Sequence, residues 1–417
     1  METSRSNVLL VLMRLDLNDP LPSLETRRGK GMGSIDTSSK GYQLLAAVLD
    51  PMELATGAPV AGISLTGPKL ELYRHILEAF REMSMQFYRD GGFIDEPESY
   101  TSEKQKEIFN GIDRIGRNIF DLFQTKKENP VLAWLTKVLN PYVSVRSMRP
   151  VTVITNDFSI PWFWLKRERG SPFLCEVCPL GMQELSAAIP AVGHQSSPGR
   201  SEKNYDALVL KGDNNLPFLN EELMNLRKAL TEPKHGAEGK DIQRSFNITA
   251  AERRDDLPSV NRRQKSTYRL IHFVGGYAGE ELELDGKPLH LDFIRQILNG
   301  SLVVLDGCSS VHEQDPWGDI MELSAVHTDE GALGCIMTAL PVKHDPIVSE
   351  ILWSEFYGSL RRGSGSVGEA LLNARLALKN HFQEINSPNP AWATYQLIGS
   401  PAVQFSDGEE ERDDEWN

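Results

Sequence analysis

The chain has 417 residues, of which 40% are hydrophobic and 24% charged, and its formal net charge is −14. That length supports two or three units of ordinary domain size with a sizeable core, and the composition excludes collagen-like, disulfide-scaffold and wholly disordered chains. The acidic balance argues against nucleic acid or an anionic membrane as a direct partner.

Residues 1–40 carry a strand-like stretch, NVLLVLMRLDL, followed by Gly/Ser-rich turns. Its apolar run from Val8 to Met13 is far below the roughly 20 residues that span a bilayer, and no secretory apolar segment with a cleavage site precedes it, so a cytoplasmic location away from membranes is expected. A further strand-like pair follows at Leu44–Val48 and Pro59–Ser64. From Lys69 the period becomes helical: Leu70, Leu72, Tyr73, Ile76, Leu77, Phe80 and Met83 recur at three and four, as do Ile108, Ile112, Ile115, Ile119, Phe120 and Phe123. The alternation in VTVIT (Val151, Val153) predicts a strand that runs into a turn at Asn156-Asp157.

Gly193–Asn204 reads as a linker or exposed loop. A short buried-strand signal at Ala207–Leu210 and a helix at Asn220–Leu230 open a second domain, and the charged, weakly periodic residues 231–266 read mostly as a surface insertion. Strands are then predicted at Tyr268–Val274, Ser301–Leu305, Cys335–Ala339 and Tyr395–Ile398, with helices at Leu291–Leu298, Ile347–Leu360 and Ser366–His381. Strands alternating with helices in this way argue an α/β fold, a parallel or mixed sheet covered on both faces. Residues 406–417 hold seven acidic side chains against one Arg and are expected to form a disordered tail.

The four cysteines, Cys175, Cys178, Cys308 and Cys335, do not make a disulfide framework in a chain this long and are expected as free thiols. Cys175-Glu176-Val177-Cys178 has the spacing of half a zinc or redox site, but no second CxxC or HxxxH exists to complete four ligands. GKGMGS near the start lacks both a strong preceding strand and the spacing of a phosphate loop. No metal and no cofactor are expected.

In an open α/β sheet, reactive side chains sit where loops leave the carboxyl ends of strands. Two loops qualify: Gly275-Gly276-Tyr277-Ala278-Gly279 after RLIHFV, and Asp306-Gly307-Cys308-Ser309-Ser310 after SLVVL. Cys308 there is either an exposed, rigidly held thiol or a small buried hydrophobe.

The runs IHFVGG, LVVLDGC, GALGCIMTALPV, FYGSLRRGSGSVGEALLNARLAL and WATYQLIGSP come in this order. Before them stand Asn156-Asp157 with Ile160-Pro161-Trp162 and Leu165, and ALVLKGDNNLPFLNEEL. Together, over roughly residues 100–405, they resemble the CHAT domain family, the bacterial caspase-like cysteine peptidases; the first group corresponds to a turn-plus-PWELL element and the second to the first core strand, loop and helix. The resemblance implies a caspase-like sheet flanked by helices on both faces, with an N-terminal α/β accessory region. Residues 1–192 form that accessory region, 205–405 the caspase-like domain and 406–417 the tail.

The resemblance also implies a Cys–His dyad with Cys308 at the nucleophile position. The family's His position falls on Gly276, so the base is absent. An unperturbed thiol ionises near pKa ~8.5 and is only a few per cent thiolate at neutral pH, so hydrolysis without an imidazole should be slow or absent. His272, four residues before Gly276, and His312, four after Cys308, are alternative bases, with His290 and Tyr277 as further candidates; the first reading of His272 is a hydrogen-bonded core histidine. Asp306-Gly307-Cys308-Ser309-Ser310 matches the D-x-C-x-S pattern of metacaspases, in which the Asp binds a substrate Lys or Arg; Asp306 is therefore a candidate substrate-binding residue, or a carboxylate capping its loop. Phe163 stands where PWELL has Glu. The function implied is regulated proteolysis in bacterial defence, with a protein substrate or an activating protein partner, by an endopeptidase or by an inactive pseudo-peptidase serving as scaffold or regulatory subunit.

Overall fold

The computed structural model describes residues 7–16, 42–50, 59–89, 101–125, 129–140, 149–157, 159–184, 204–212, 219–231, 245–251, 268–275, 277–278, 281–284, 287–289, 301–306, 309–310, 332–340, 346–362 and 365–404. The strands are β1 (Val8–Asp16), β2 (Tyr42–Leu49), β3 (Val60–Leu65), β4 (Val151–Thr155), β5 (Leu180–Glu184), β6 (Asn204–Lys211), β7 (Ser245–Ala251) and β8 (Tyr268–Val274). They continue as β9 (Tyr277–Ala278), β10 (Glu281–Leu284), β11 (Lys287–Leu289), β12 (Leu302–Asp306), β13 (Ser309–Ser310), β14 (Gly334–Thr338) and β15 (Tyr395–Gly399). The helices are α1 (Pro68–Arg89), α2 (Ser102–Phe123), α3 (Pro130–Val138), α4 (Leu174–Val177), α5 (Leu219–Thr231), α6 (Pro346–Arg362) and α7 (Val367–Glu384). The expected helix over Leu291–Leu298, the acidic tail and the linker up to residue 203 lie outside the described residues.

Eleven strands form one mixed sheet in the order β3-β2-β1-β4-β5-β15-β14-β12-β8-β6-β7. β8 and β12 are adjacent and parallel, with Leu302 opposite Leu270 and Asp306 opposite Val274. The pairs β1–β2, β2–β3 and β14–β15 are antiparallel. Every residue of β4, β12, β14 and β15 is buried, which requires cover on both faces of the sheet; β2 instead alternates buried and half-buried positions. This is an α/β fold with the sheet flanked by helices. β5 and β15 meet through Met182 and Ile398, so the strands of the first 184 residues continue the sheet of the later ones.

Local chemistry starts the helices where the periodicity places them. The Thr101 hydroxyl caps α2 by accepting from the Lys104 N–H at 3.3 Å, and α2 buries Ile108, Ile112, Ile115, Ile119 and Phe123 along one face. Ser366 and Glu369 form a capping box at the start of α7. The short α3 is absent from the periodic reading; Asn129 caps it through the Val131 and Leu132 N–H groups, and Pro130 opens its first turn.

The reading of 231–266 as a surface insertion is corrected at 245–251, which form the edge strand β7 beside β6. Phe246 and Ala251 are buried there, but the charged residues around so short a strand mask its apolar positions.

The Trp162–Trp164 turn ties the two parts of the chain. Trp162 Nε1 donates to the Asp157 carbonyl at 3.0 Å, and Trp164 Nε1 donates to the Ala393 carbonyl at 2.8 Å. Phe163 is buried, and Glu176 pairs with Lys379 of α7.

Candidate active site

Facing residues on neighbouring strands project to the same side of a sheet. Val304 lies opposite His272 and Asp306 opposite Val274, so His272 and Asp306 share one face, two positions apart along the strands. Helix α6 brings Trp353 and Tyr357 onto that face; their spacing of four residues stacks both rings on one side of the helix.

His272 is completely buried, with Nδ1 2.5 Å from the Tyr357 hydroxyl. Burial, followed by the negative charge of Asp306, raises the Tyr357 pKa well above its ordinary value, so the phenol keeps its proton and can donate it to Nδ1. Burial also lowers the His272 pKa, against the opposing pull of Asp306. The imidazole is therefore neutral. With Nδ1 accepting, the remaining proton sits on Nε2, which faces Asp306 Oδ2 at 3.8 Å and has no hydrogen-bond partner. At that separation the contact is electrostatic, too long for a hydrogen bond.

Asp306 is nearly buried. Its Oδ2 accepts from Trp353 Nε1 at 2.6 Å and its Oδ1 from the Tyr395 hydroxyl at 3.0 Å. The carboxylate is thus held by side-chain donors from α6 and β15. Trp353, Tyr357 and Tyr395 are the site residues that sequence reasoning missed. The Trp353/Tyr357 spacing was a visible signal, but nothing in it says which face of the sheet it meets.

At the carboxyl end of β8, Gly275 adopts φ +152° and its N–H donates to the Asp306 carbonyl at 3.1 Å. A Cβ there would stand 2.6 Å from the Gly212 Cα, so glycine is required both by conformation and by the close approach of the β6 end. Beyond the main sheet, β13 pairs in parallel with β9, Ser309 opposite Tyr277 and Ser310 opposite Ala278, within a four-stranded sheet of order β11-β10-β9-β13. The two loops singled out from the sequence therefore pair with each other past the strand ends. Gly276, Cys308, His312 and His290 lie outside the described residues.

Cys175, Cys178 and Cys335 are buried free thiols. Burial pushes the Cys175 pKa up to about 12 and raises those of Cys178 and Cys335 as well, the opposite of what a reactive thiol needs. Among the described residues no group of three or more His, Cys, Asp or Glu could hold a metal ion, and no helix is long and apolar enough to cross a membrane.

No protein-family model matches the chain, and no curated protein matches it. Among solved structures it is similar to one described as "Structure of Protease", at 11% identity and TM-score 0.42, over 66% of this chain and 68% of that one.

Proposed function

We propose that this chain is a CHAT-type, caspase-like cysteine endopeptidase or a degenerate homologue of one, cytoplasmic and acting in regulated proteolysis or bacterial defence under the control of a protein partner. The observation that carries this reading is the parallel adjacency of β8 and β12, with the loops that follow them paired through β9 and β13. That is the relation a Cys–His dyad on those two loops requires.

In this reading Cys308 is the nucleophile. Its thiolate attacks a peptide carbonyl, the acyl group passes to sulfur as the amine leaves, and water releases it. A base must take the thiol proton and return it to the leaving amine, and Gly276 supplies none. Asp306 would attract a Lys or Arg side chain before the scissile bond.

A second reading, the pseudo-peptidase that works as scaffold or regulatory subunit, is favoured by His272. Its Nδ1 is committed to Tyr357 and its Nε2 carries a proton towards Asp306, so in this state it offers no lone pair to a thiol at the strand end. The test is cleavage of peptides with Lys or Arg before the scissile bond. Without a partner the wild type should be inactive, and Gly276→His should raise turnover in a manner that Cys308→Ala abolishes. Unaided wild-type cleavage that survives Cys308→Ala would overturn both readings.

A further inference from the structure

Helix α7 carries a guanidinium, that of Arg375, which is fully buried and has no carboxylate partner among the described residues. Its donors go to backbone carbonyls instead. Nε lies 3.0 Å from the Tyr395 carbonyl, NH2 reaches the same oxygen, and NH1 lies 3.4 Å from the Cys175 carbonyl. Burying a cation in this way costs stability that a well-packed apolar side chain would not. What the guanidinium adds is geometry: it fixes α4, from the first 184 residues, against β15.

Tyr395 extends that link. Its carbonyl is held by Arg375, while its hydroxyl, at the other end of the residue, donates to Asp306 Oδ1 at 3.0 Å. Trp353, whose ring packs edge-on against Tyr395 at 5.6 Å, holds the other oxygen. A continuous series of buried polar contacts therefore runs from the Cys175 carbonyl through Arg375 and Tyr395 to Asp306, the last residue of β12. A second fastening of α4 to α7, between Glu176 and Lys379, lies beside it.

We propose that Arg375 and Tyr395 are positioning residues that make the setting of Asp306, and of the strand end that leads to Cys308, depend on how the N-terminal part of the chain sits against β15. This rests on the peptidase-like reading of that edge and deepens its regulation: a protein partner that binds the N-terminal part and displaces α4 acts on the site through these two side chains. Trp164 also joins the two parts, through the Ala393 carbonyl, but makes no contact with Asp306, so it serves as the control.

The reporter is His272. Among the described residues the ionisable groups that face it are Asp306 from β12 and Tyr357 from α6, and its Nε2 has no hydrogen-bond partner. When Asp306 loses the Tyr395 hydroxyl, its carboxylate gains by closing on Nε2, which favours the protonated imidazole. The experiment follows the His272 ring by NMR across pH in the full chain, assigned with His272→Asn. Tyr395→Phe and Arg375→Gln should both move its titration to higher pH, with Arg375→Lys returning it towards wild type. Trp164→Phe should lower the melting temperature and leave the titration in place.

Wild-type titration in Tyr395→Phe would overturn the role of Tyr395, and a shift in Tyr395→Phe that Arg375→Gln fails to reproduce would overturn the coupling. If Arg375→Gln does not fold, Arg375→Lys is read in its place; with one contact to a carbonyl lost, it should show a smaller shift, and no shift would count against the coupling. Because His272 titrates whether or not any peptide is cut, failure of the peptidase reading is seen separately, in the Cys308→Ala comparison.

Discussion

The Nε2 atom of His272 faces Asp306 Oδ2 at 3.8 Å across the β8–β12 pair while Nδ1 is occupied by Tyr357. Burial holds the folded-state pKa of His272 below its ordinary value, whereas in the unfolded chain it returns to about 6.5. Between those two values the unfolded state binds the extra proton. The contribution of His272 to stability is therefore complete above about pH 6.5 and is lost as pH falls towards the folded pKa. Urea midpoints measured at about pH 7 and about pH 5 should drop more for wild type than for His272→Asn; equal drops would mean that burial does not lower the native His272 pKa.

Cysteine reactivity should divide sharply. Cys175, Cys178 and Cys335 are buried with raised pKa values, so alkylation of the native protein followed by mass spectrometry should modify Cys308 alone, and all four in denaturant. If Gly276 has removed the base, the native rate should climb as pH passes about 8.5, the behaviour of an ordinary thiol. A plateau near neutrality would reveal a hidden base.

A polar cluster at the ends of β1 and β4 should matter for stability. Asp157 is buried, with Oδ2 shared between the Tyr73 hydroxyl and Arg14 NH1, the latter at 3.3 Å. The charge of Asp157 holds the Arg14 pKa above its ordinary value, against desolvation. Asp157→Ala should cost about 3–5 kcal/mol by stranding a largely buried guanidinium. Tyr73→Phe should cost about 1–3 kcal/mol by removing one donor to a buried carboxylate. Chemical denaturation reads both, and with Arg14→Ala the double variant should lose less than the sum of the single losses.

Gly116, inside α2, should resist replacement by a better helix former. A Cβ there would meet the Trp164 carbonyl oxygen at 2.1 Å, and the Gly116 carbonyl accepts from the Lys166 N–H at 3.2 Å. Ala in a free helix gains about 1 kcal/mol over Gly. Here Gly116→Ala should instead destabilise by about 1–3 kcal/mol, because α2 must move off the Trp162–Trp164 turn. A raised melting temperature would show that the helix shifts freely.

Much of the architecture is legible in the sequence because it is written in local periodicity. The apolar run of β12 marks a strand buried on both faces, the alternation in β4 marks a strand, and the three-and-four spacing of Ile108, Ile112, Ile115 and Ile119 marks the inner face of α2. Single caps such as Thr101 and Ser366 fix where helices begin. The candidate edge was legible too, since reactive groups in an α/β sheet gather where loops leave the strand carboxyl ends. By contrast, β7 was hidden by the charges around it, and α3 is too short for its period to show.

The surroundings of Asp306 were decided only by the tertiary structure. Two side-chain donors reach it from Trp353, 47 residues away, and from Tyr395, 89 residues away. No spacing within β12 encodes either one, because the contacts exist only once α6 lies on the sheet and β15 turns antiparallel beside β14. The same holds for His272: its place in β8 reads first as a hydrogen-bonded core histidine, and the Tyr357 hydroxyl at its Nδ1 comes only with the packing of α6 on the sheet. The residue types and their order belong to the chain, whereas the partner each polar atom finds is a property of the packed sheet, where desolvation makes every unpaired group costly and so selects the contacts.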